Sequence, residues 1–439
     1  MLKRLAAAAN KMMQRYLPDP FLFAVILSLV VFVAAIVVTR STPQDVVAYW
    51  GNGFWGLLEF TMQMVLILVT GHVMASSSFF ERLLARLARS AKTGGQAILL
   101  VTLISLLASW INWGFGLVIG ALFAKQLARY VQKIDYRLLI ASAYSGFIVW
   151  HGGLAGSVPL TIATEGHFAQ NLIGVIPTDD TIFAPFNLVI VATLFVVVPI
   201  VNRLMLNPQE AVYVDPQLLT GSMEAATVED EPMTPATRLE NSQWLSLVVG
   251  LLGIAYIMYY LWTNGFNLNL NIVNFTFLFV GILLHRTPRR FLVAVQQAVK
   301  GAGGIIIQFP FYAGLMGIMV DSGLAKVVSE AFVAISNEVT FPLFSFLSAG
   351  FVNIFVPSGG GQWAVQGPIM LAAGNELGVS AAKTAMAVAW GDAWTNMIQP
   401  FWALPALAIA GLKARDIMGF CLITLFISGA IIGLGLLLL

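Results

Sequence analysis

Long apolar runs separated by short polar or basic connections dominate the chain, and they predict an all-α, polytopic membrane protein. Runs of this kind cover residues 21–39, 54–75, 138–164, 185–205, 244–262, 271–285, 301–320, 381–411 and 417–439. A helix needs about 20 apolar residues to bridge a hydrocarbon core of roughly 30 Å, so the pattern predicts about nine spanning helices. Two further apolar stretches behave differently. Residues 97–124 are too short for two full crossings and are interrupted by Trp-Ile-Asn-Trp-Gly-Phe-Gly at 110–116; residues 341–373 are interrupted by Val-Pro-Ser-Gly-Gly-Gly-Gln at 356–362.

Charge orients these segments. Arg82, Arg86, Arg89 and Lys92 precede the first interrupted stretch, and Lys125, Arg129, Lys133 and Arg137 follow it. Basic loops stay in the cytoplasm, so this stretch is expected to enter and leave by the cytoplasmic face, as a re-entrant hairpin of two half-helices. The second stretch is flanked by Glu330, Glu338 and Glu376 and is expected to dip in from the outer face. Counting from a cytoplasmic N-terminus puts Arg286, Arg289, Lys413 and Arg415 inside and Glu165, Asp179 and Asp180 outside, in agreement with the charge rule. The acidic segment 207–243 is then a cytoplasmic linker between a first repeat, 1–206, and a second, 244–439. Ser78 and Ser322, Asn112 and Asn353, and Pro159 and Pro400 recur at offsets of about 240 residues. The helix at 244–262 has no partner in the first half, and its extra crossing inverts the second repeat. Inverted repeats with broken helices are a secondary-transporter architecture.

Composition narrows the class further. The chain of 439 residues is 59% hydrophobic and 10% charged with a net charge of +2, against roughly 25% charge in soluble domains. No concentrated basic surface suits nucleic acid. The single cysteine, Cys421, lies in an apolar run, which leaves no disulfide framework or cysteine metal motif. No small-residue cleavage site follows a short apolar core, so 21–39 reads as a retained helix and the inner membrane as the location. With four histidines and no clustered nucleophile, base or metal ligands, an enzyme is not expected and no cofactor is implied.

Unwound backbone is tolerated in hydrocarbon only where it lines a cavity or is buried in protein, so the site is expected at four broken stretches. These are the two hairpin tips and the middles of the helices that follow, at 143–159 and 390–400. Asn112, Gly114 and Gly116 stand at the first tip; Asn353, Ser358, Gly359, Gly360, Gly361 and Gln362 at the second; Ser145, His151 and Ser157 in the first broken helix; and Trp390, Thr395 and Asn396 in the second. All are candidate substrate contacts. A glycine-rich tip before a half-helix can hold a carboxylate on its backbone N–H groups without arginine. Asp392 is the one carboxylate expected deep in a span, where an unpaired charge is costly and usually functional. It is the first candidate for coupling to H+ or Na+, with Asn112 and Asn353 beside it. Packing is the alternative role for the tips, for His151 and for the tryptophans Trp110, Trp113, Trp150, Trp363, Trp390 and Trp394. The spacing Gly114, Gly116, Gly120 lacks the third glycine and the strand context of a dinucleotide site.

Val356-Pro-Ser-Gly-Gly-Gly-Gln-Trp-Ala-Val-Gln-Gly-Pro368, Trp390-Gly-Asp-Ala-Trp-Thr-Asn396, Asn112-Trp-Gly-Phe-Gly116 and Leu-Pro-Asp-Pro-Phe at 17–21 resemble the short-chain fatty acid permease family across essentially the whole chain. That family is similar in turn to the ion-transporter superfamily of carboxylate carriers. The resemblance implies uptake of monocarboxylates such as acetoacetate or butyrate by an elevator-type homodimer in the bilayer, with Ser358, Gly359, Gly360 and Gln362 at the substrate tip. From the residues alone the reading stops at a small-anion carrier, with dicarboxylate, amino acid or peptide carriage, or a passive anion channel, as alternatives.

Overall fold

The computed structural model describes residues 2–16, 20–131, 133–163, 165, 167, 169–215, 234–265, 270–300, 302–357 and 359–439, and every regular element among them is helical. The chain opens with α1 (Leu2–Tyr16), which the basic N-terminus had not suggested. Its buried side, with Ala6, Ala9 and Asn10, lies against the C-terminal helix at Gly419. Next come α2 (Pro20–Thr39) and α3 (Pro43–Gly53). Thr42 starts α3 with a capping box: its hydroxyl accepts from the Asp45 N–H, and the Asp45 carboxylate accepts from the Thr42 N–H, satisfying two donors that the first turn leaves unpaired.

From here one order of elements occurs twice. A bent pair, α4 (Leu58–Ala75) and α5 (Ser78–Ala88), leads into a hairpin of α6 (Gly94–Ile111) and α7 (Trp113–Tyr130). A broken helix follows, made of α8 (Tyr136–Ser145), a 3-10 stretch Gly146–Gly152 and α9 (Ser157–Ile162). After the short α10 (Gln170–Ile173), the long α11 (Pro185–Leu204) closes the set. The expected linker 207–243 contains α12 (Pro235–Glu240), while its residues 216–233 lie outside the described ones. Then α13 (Gln243–Asn264), α14 (Leu270–His285) and α15 (Pro288–Val299) precede the second set. That set is the bent pair α16 (Gly303–Asp321) and α17 (Leu324–Val333), the hairpin α18 (Phe341–Asn353) and α19 (Gly359–Glu376), and a second broken helix. The broken helix comprises α20 (Ala381–Thr395), a 3-10 turn Asn396–Ile398 and α21 (Pro400–Ala410), and α22 (Ala414–Leu438) ends the chain.

The two sets are interleaved. α2 and α3 pack on α16 of the second set, and α14 and α15 pack on α4 of the first. The first contact is tight enough that a Cβ on Gly53 would stand 2.8 Å from the Gly317 backbone. The second is polar at its ends, where Asn274 donates to the Gln63 carbonyl at 3.0 Å and the His285 ring lies 2.7 Å from the Val73 carbonyl. α13 touches the rest through small residues: Gly250 meets Leu283 and Gly253 meets Phe279. Trp244, Leu252, Tyr259 and Trp262 remain exposed, an apolar outer face suited to lipid.

Several expectations change. The first hairpin is longer than 97–124: its arms hold 18 residues each, about 27 Å at 1.5 Å per residue, so they exceed half-helices. Only Asn112 interrupts them, rather than the whole of 110–116, because the glycines that follow are packing surface inside α7. Gly116 sits on Ser109, and a Cβ on Gly120 would stand 2.6 Å from the Ser105 hydroxyl, a pairing that steps away from the turn by one helical turn on each arm. In the second hairpin the arms are stitched by side chains: Gln362 donates to the Ala349 carbonyl (2.8 Å) and Gln366 to the Ser348 hydroxyl (2.9 Å). Against about nine expected spans, five helices among the described residues are long and apolar enough to cross a membrane, or seven if each bent pair counts as one. α14, α18 and α21 are apolar but shorter, since Pro and Gly cut the runs that hydropathy alone would join.

Candidate functional site

The two broken helices meet in the protein interior. The 3-10 stretch carrying His151 packs on α20 near Asp392. Asn187 of α11 holds the junction: it donates to the Gly152 and Ile182 carbonyls (3.1 and 2.7 Å) and accepts from the Trp390 indole at 3.0 Å. Gly152 is required there, because a Cβ would stand 2.5 Å from the Trp390 ring. Tyr144 adds a second tie, its hydroxyl donating to the Asn396 carbonyl at 2.5 Å.

At the junction the His151 Nε2 lies 3.3 Å from Asp392 Oδ1, with the side chains 0% and 1% exposed. The contact is close but out of hydrogen-bond alignment; both ring nitrogens and Asp392 Oδ2 are buried without a hydrogen-bond partner. Oδ1 also accepts from the Asn396 amide at 3.1 Å. Asn353 reaches across from the second hairpin, its amide nitrogen contacting the Asp392 carbonyl (2.9 Å), the Thr395 hydroxyl (2.9 Å) and Asn396 Oδ1 (2.6 Å). Two N–H bonds thus share three acceptors. Thr395 donates onward to the Gly350 carbonyl (2.8 Å), and Gln399 to the Asn353 carbonyl (2.7 Å).

The second tip closes on the same point. A Cβ on Gly359 would stand 2.8 Å from His151 Nε2 and 3.0 Å from the Trp150 ring, whereas one on Gly360 would meet nothing within 4 Å. The tip therefore seats one glycine on the imidazole and turns the next, which is exposed, to open space. Behind His151 the aromatic rings form a wall: Trp150 stacks on Phe147 (5.4 Å, 9°), and Trp113 meets Trp402 edge-on at 5.4 Å. No Lys or Arg among the described residues is buried.

Of the candidates, His151, Asn353, Gly359, Asp392, Thr395 and Asn396 come together, with Trp390 behind them and Gly360 at the opening. Gly361, half-buried, follows in the first turn of α19. Others stand apart. Gln362 was expected to offer its amide to an oxyanion, but its nitrogen is committed to Ala349 and Gln366. Asn112 caps α7, accepting from the Phe115 N–H at 3.1 Å; its tip meets the first broken helix through the Leu154 N–H to the Trp110 carbonyl (2.7 Å). Gly114 and Gly116 are buried in α7. Ser145 belongs to a separate knot, accepting from Asn202, which also donates to Thr102 (2.8 and 3.1 Å). Ser157 begins α9 and is half-buried. Ser358 lies outside the described residues. Sequence reasoning missed Tyr144, Asn187, Asn202 and Gln399; single polar side chains inside apolar runs were the available signal for them.

Comparisons with known proteins bear on what this junction serves. The profile of the family described as "Short chain fatty acid transporter" matches residues 1–439. The chain belongs to the short chain fatty acid transporter family. The transporter is 46% identical, over 99% of both chains, to the "Putative short-chain fatty acid transporter" of Escherichia coli (strain K12). It is 44% identical, again over 99% of each, to the protein of the same name in Haemophilus influenzae. Among solved structures, the YdaH transporter of Alcanivorax borkumensis matches 95% of the transporter and 97% of its own chain with 16% identity and a TM-score of 0.45.

Proposed function

We propose that the transporter is a secondary active carrier that imports small monocarboxylates, acetoacetate and butyrate among them, across the inner membrane in symport with H+ or Na+. The observation that carries this reading is the junction itself: a glycine tip with one open position, a buried carboxylate and a buried imidazole converge where both broken helices are interrupted. The N–H groups of a first helical turn have no partner within the helix, and the helix end is partially positive. The start of α19 therefore suits the carboxylate of a substrate, and the adjoining aromatic wall suits a short acyl tail. With no Lys or Arg buried among the described residues, the site suits one negative charge better than two. In this reading the two hairpins act as re-entrant elements of inverted repeats, entering from opposite faces; the turn of the first at Asn112 lies beside the break of the 136–162 helix, which supports a tip near mid-depth.

Uptake of radiolabelled acetoacetate into proteoliposomes, with and without imposed H+ and Na+ gradients, tests the reading. Saturable accumulation that follows one gradient is expected. Non-saturating flux indifferent to both would make the protein a channel. In a Cys421→Ser background, cysteines at Arg82 and Lys133 should both label from the cytoplasmic face; labelling from opposite faces would remove the re-entrant hairpin.

A further inference from the structure

We infer that the coupling ion is a proton held between His151 and Asp392, and that the second hairpin reads its presence through the imidazole. This rests on the carrier reading above. Each half of the chain contributes one member, His151 from the first broken helix and Asp392 from the second, 3.3 Å apart. Both ring nitrogens and Asp392 Oδ2 lack hydrogen-bond partners in a fully buried setting, where unpaired polar atoms are costly. A proton on Nε2 would set a positive charge 3.3 Å from the carboxylate, and a small turn of the ring would then align the pair as a charge-assisted hydrogen bond. The neighbours of Oδ1 are nitrogens, His151 Nε2 and Asn396 Nδ2, whereas hard metal cations take oxygen ligands.

The pair is electrostatically isolated. α6, α9 and the 396–398 turn carry no titratable side chain. Lys125 and Arg129 of α7, Arg203 of α11, Lys383 of α20 and Glu376 of α19 lie at the far ends of helices packed around His151. On α8, Tyr136 and Arg137 stand at its start, and the Tyr144 hydroxyl is engaged with Asn396. Arg415 and Asp416 stand at the start of α22, which packs on α20 and carries the buried Cys421; among the described residues of these elements, Asp392 is the one buried carboxylate.

Charge then orders the cycle. Unprotonated, the pair carries one negative charge, and a substrate carboxylate entering beside it in a low dielectric would be repelled. A proton taken from water outside bonds to Nε2, and the neutral ion pair admits the anion at Gly359 and Gly360. Inside, the N–H bond breaks and the proton returns to water with the released carboxylate. Empty and loaded sites carry the same charge, so net transport is electroneutral. Because Gly359 packs directly on Nε2, the tip cannot lift without uncovering the protonated atom, which ties opening of the hairpin to the state of the pair.

The test uses the full chain in proteoliposomes with radiolabelled acetoacetate, subtracting protein-free vesicles because undissociated short acids cross lipid unaided. Accumulation should follow an inward proton gradient, ignore sodium at constant pH, and ignore a potassium-diffusion potential. His151→Gln and Asp392→Asn should each lose the response to the proton gradient. Accumulation driven by sodium at fixed pH, or a His151→Gln protein that still follows the proton gradient, overturns the proposal. The wild-type measurements decide even where a variant fails to fold. Absence of saturable uptake under every gradient overturns the carrier reading itself and the proposal with it.

Discussion

The two hairpin and broken-helix units share an order of elements and both rest on close glycine packing, but they differ in how far side-chain hydrogen bonds run through them. The first has Ser109 against Gly116, Ser105 against Gly120 and Gly146, the Trp110 carbonyl against the Leu154 N–H, and one amide knot where Asn202 joins Thr102 and Ser145. The second is wired by side-chain amides: Asn353 to Thr395 and Asn396, Gln399 to Asn353, Gln362 and Gln366 across the hairpin. Dense small-residue packing in a bilayer is strong and has one geometry. A chain of buried amides can exchange partners, at high cost whenever one is left unpaired. Under the function proposed above, this difference makes the second unit the one to rearrange around substrate and ion, and the first a fixed wall with His151.

The sharpest way to break this comparison is to remove the amide that wires the second unit. Asn353→Leu leaves the Thr395 hydroxyl oxygen and Asn396 Oδ1 without their donor, while the Asp392 carbonyl keeps the Asn396 N–H. At about 1–3 kcal/mol for each buried group left unpaired, it should lower stability by about 2 kcal/mol or more and abolish transport. Thermal unfolding in detergent together with uptake assays checks this, and wild-type behaviour would show the wiring to be incidental.

The tip glycines give the next effect and separate folding from binding. Gly359→Ala pushes a methyl into His151 and Trp150 and should cost about 1–3 kcal/mol, as overpacking does, along with transport. Gly360→Val meets open space. Its unfolding free energy should stay within a few tenths of a kcal/mol of wild type, as at unconstrained surface sites, while uptake is lost if this open position receives the substrate as proposed above. Uptake by the Gly360 variant at the wild-type rate would make the tip a packing feature.

In the first unit Asn112 is expected to matter as a cap. Asn112→Ala should cost about 1 kcal/mol, the usual value of an N-cap, and Asn112→Ser, a neutral N-cap, should restore it with transport intact. If Asn112→Ser instead folds normally and transports nothing, the first tip is part of the site and the contrast between the units weakens.

The smallest effect lies at the exit of the first hairpin. Burial raises the Asp135 carboxyl above its ordinary 3.8, against partial opposition from Arg137. A carboxyl whose folded pKa is raised contributes most stability below the unfolded value and loses it as pH rises through the folded one. Asp135→Asn should therefore be as stable as wild type below about pH 3.8 and more stable at neutral pH. Unfolding temperatures across that range check it.

What the sequence determined by itself is the class of molecule and the location of its breaks. Apolar runs of membrane length, basic clusters on one side and Pro- or Gly-rich interruptions are local features, and residues such as Asn112, Gly359 and Asp392 could be singled out because polar or flexible positions inside hydrocarbon have few bland explanations. The tertiary structure decided the partners. Nothing along the chain pairs His151 with Asp392, or makes Asn187 the brace between Gly152 and Trp390, because His151–Asp392 and Asn187–Trp390 join residues about 200 or more positions apart and even Asn187–Gly152 spans 35. It also sorted glycines that look alike in sequence: Gly116 serves helix packing, Gly359 seats the tip on the imidazole, and Gly360 faces open space. Glycine's missing side chain permits each of these uses equally, and only the neighbour that the fold delivers selects among them.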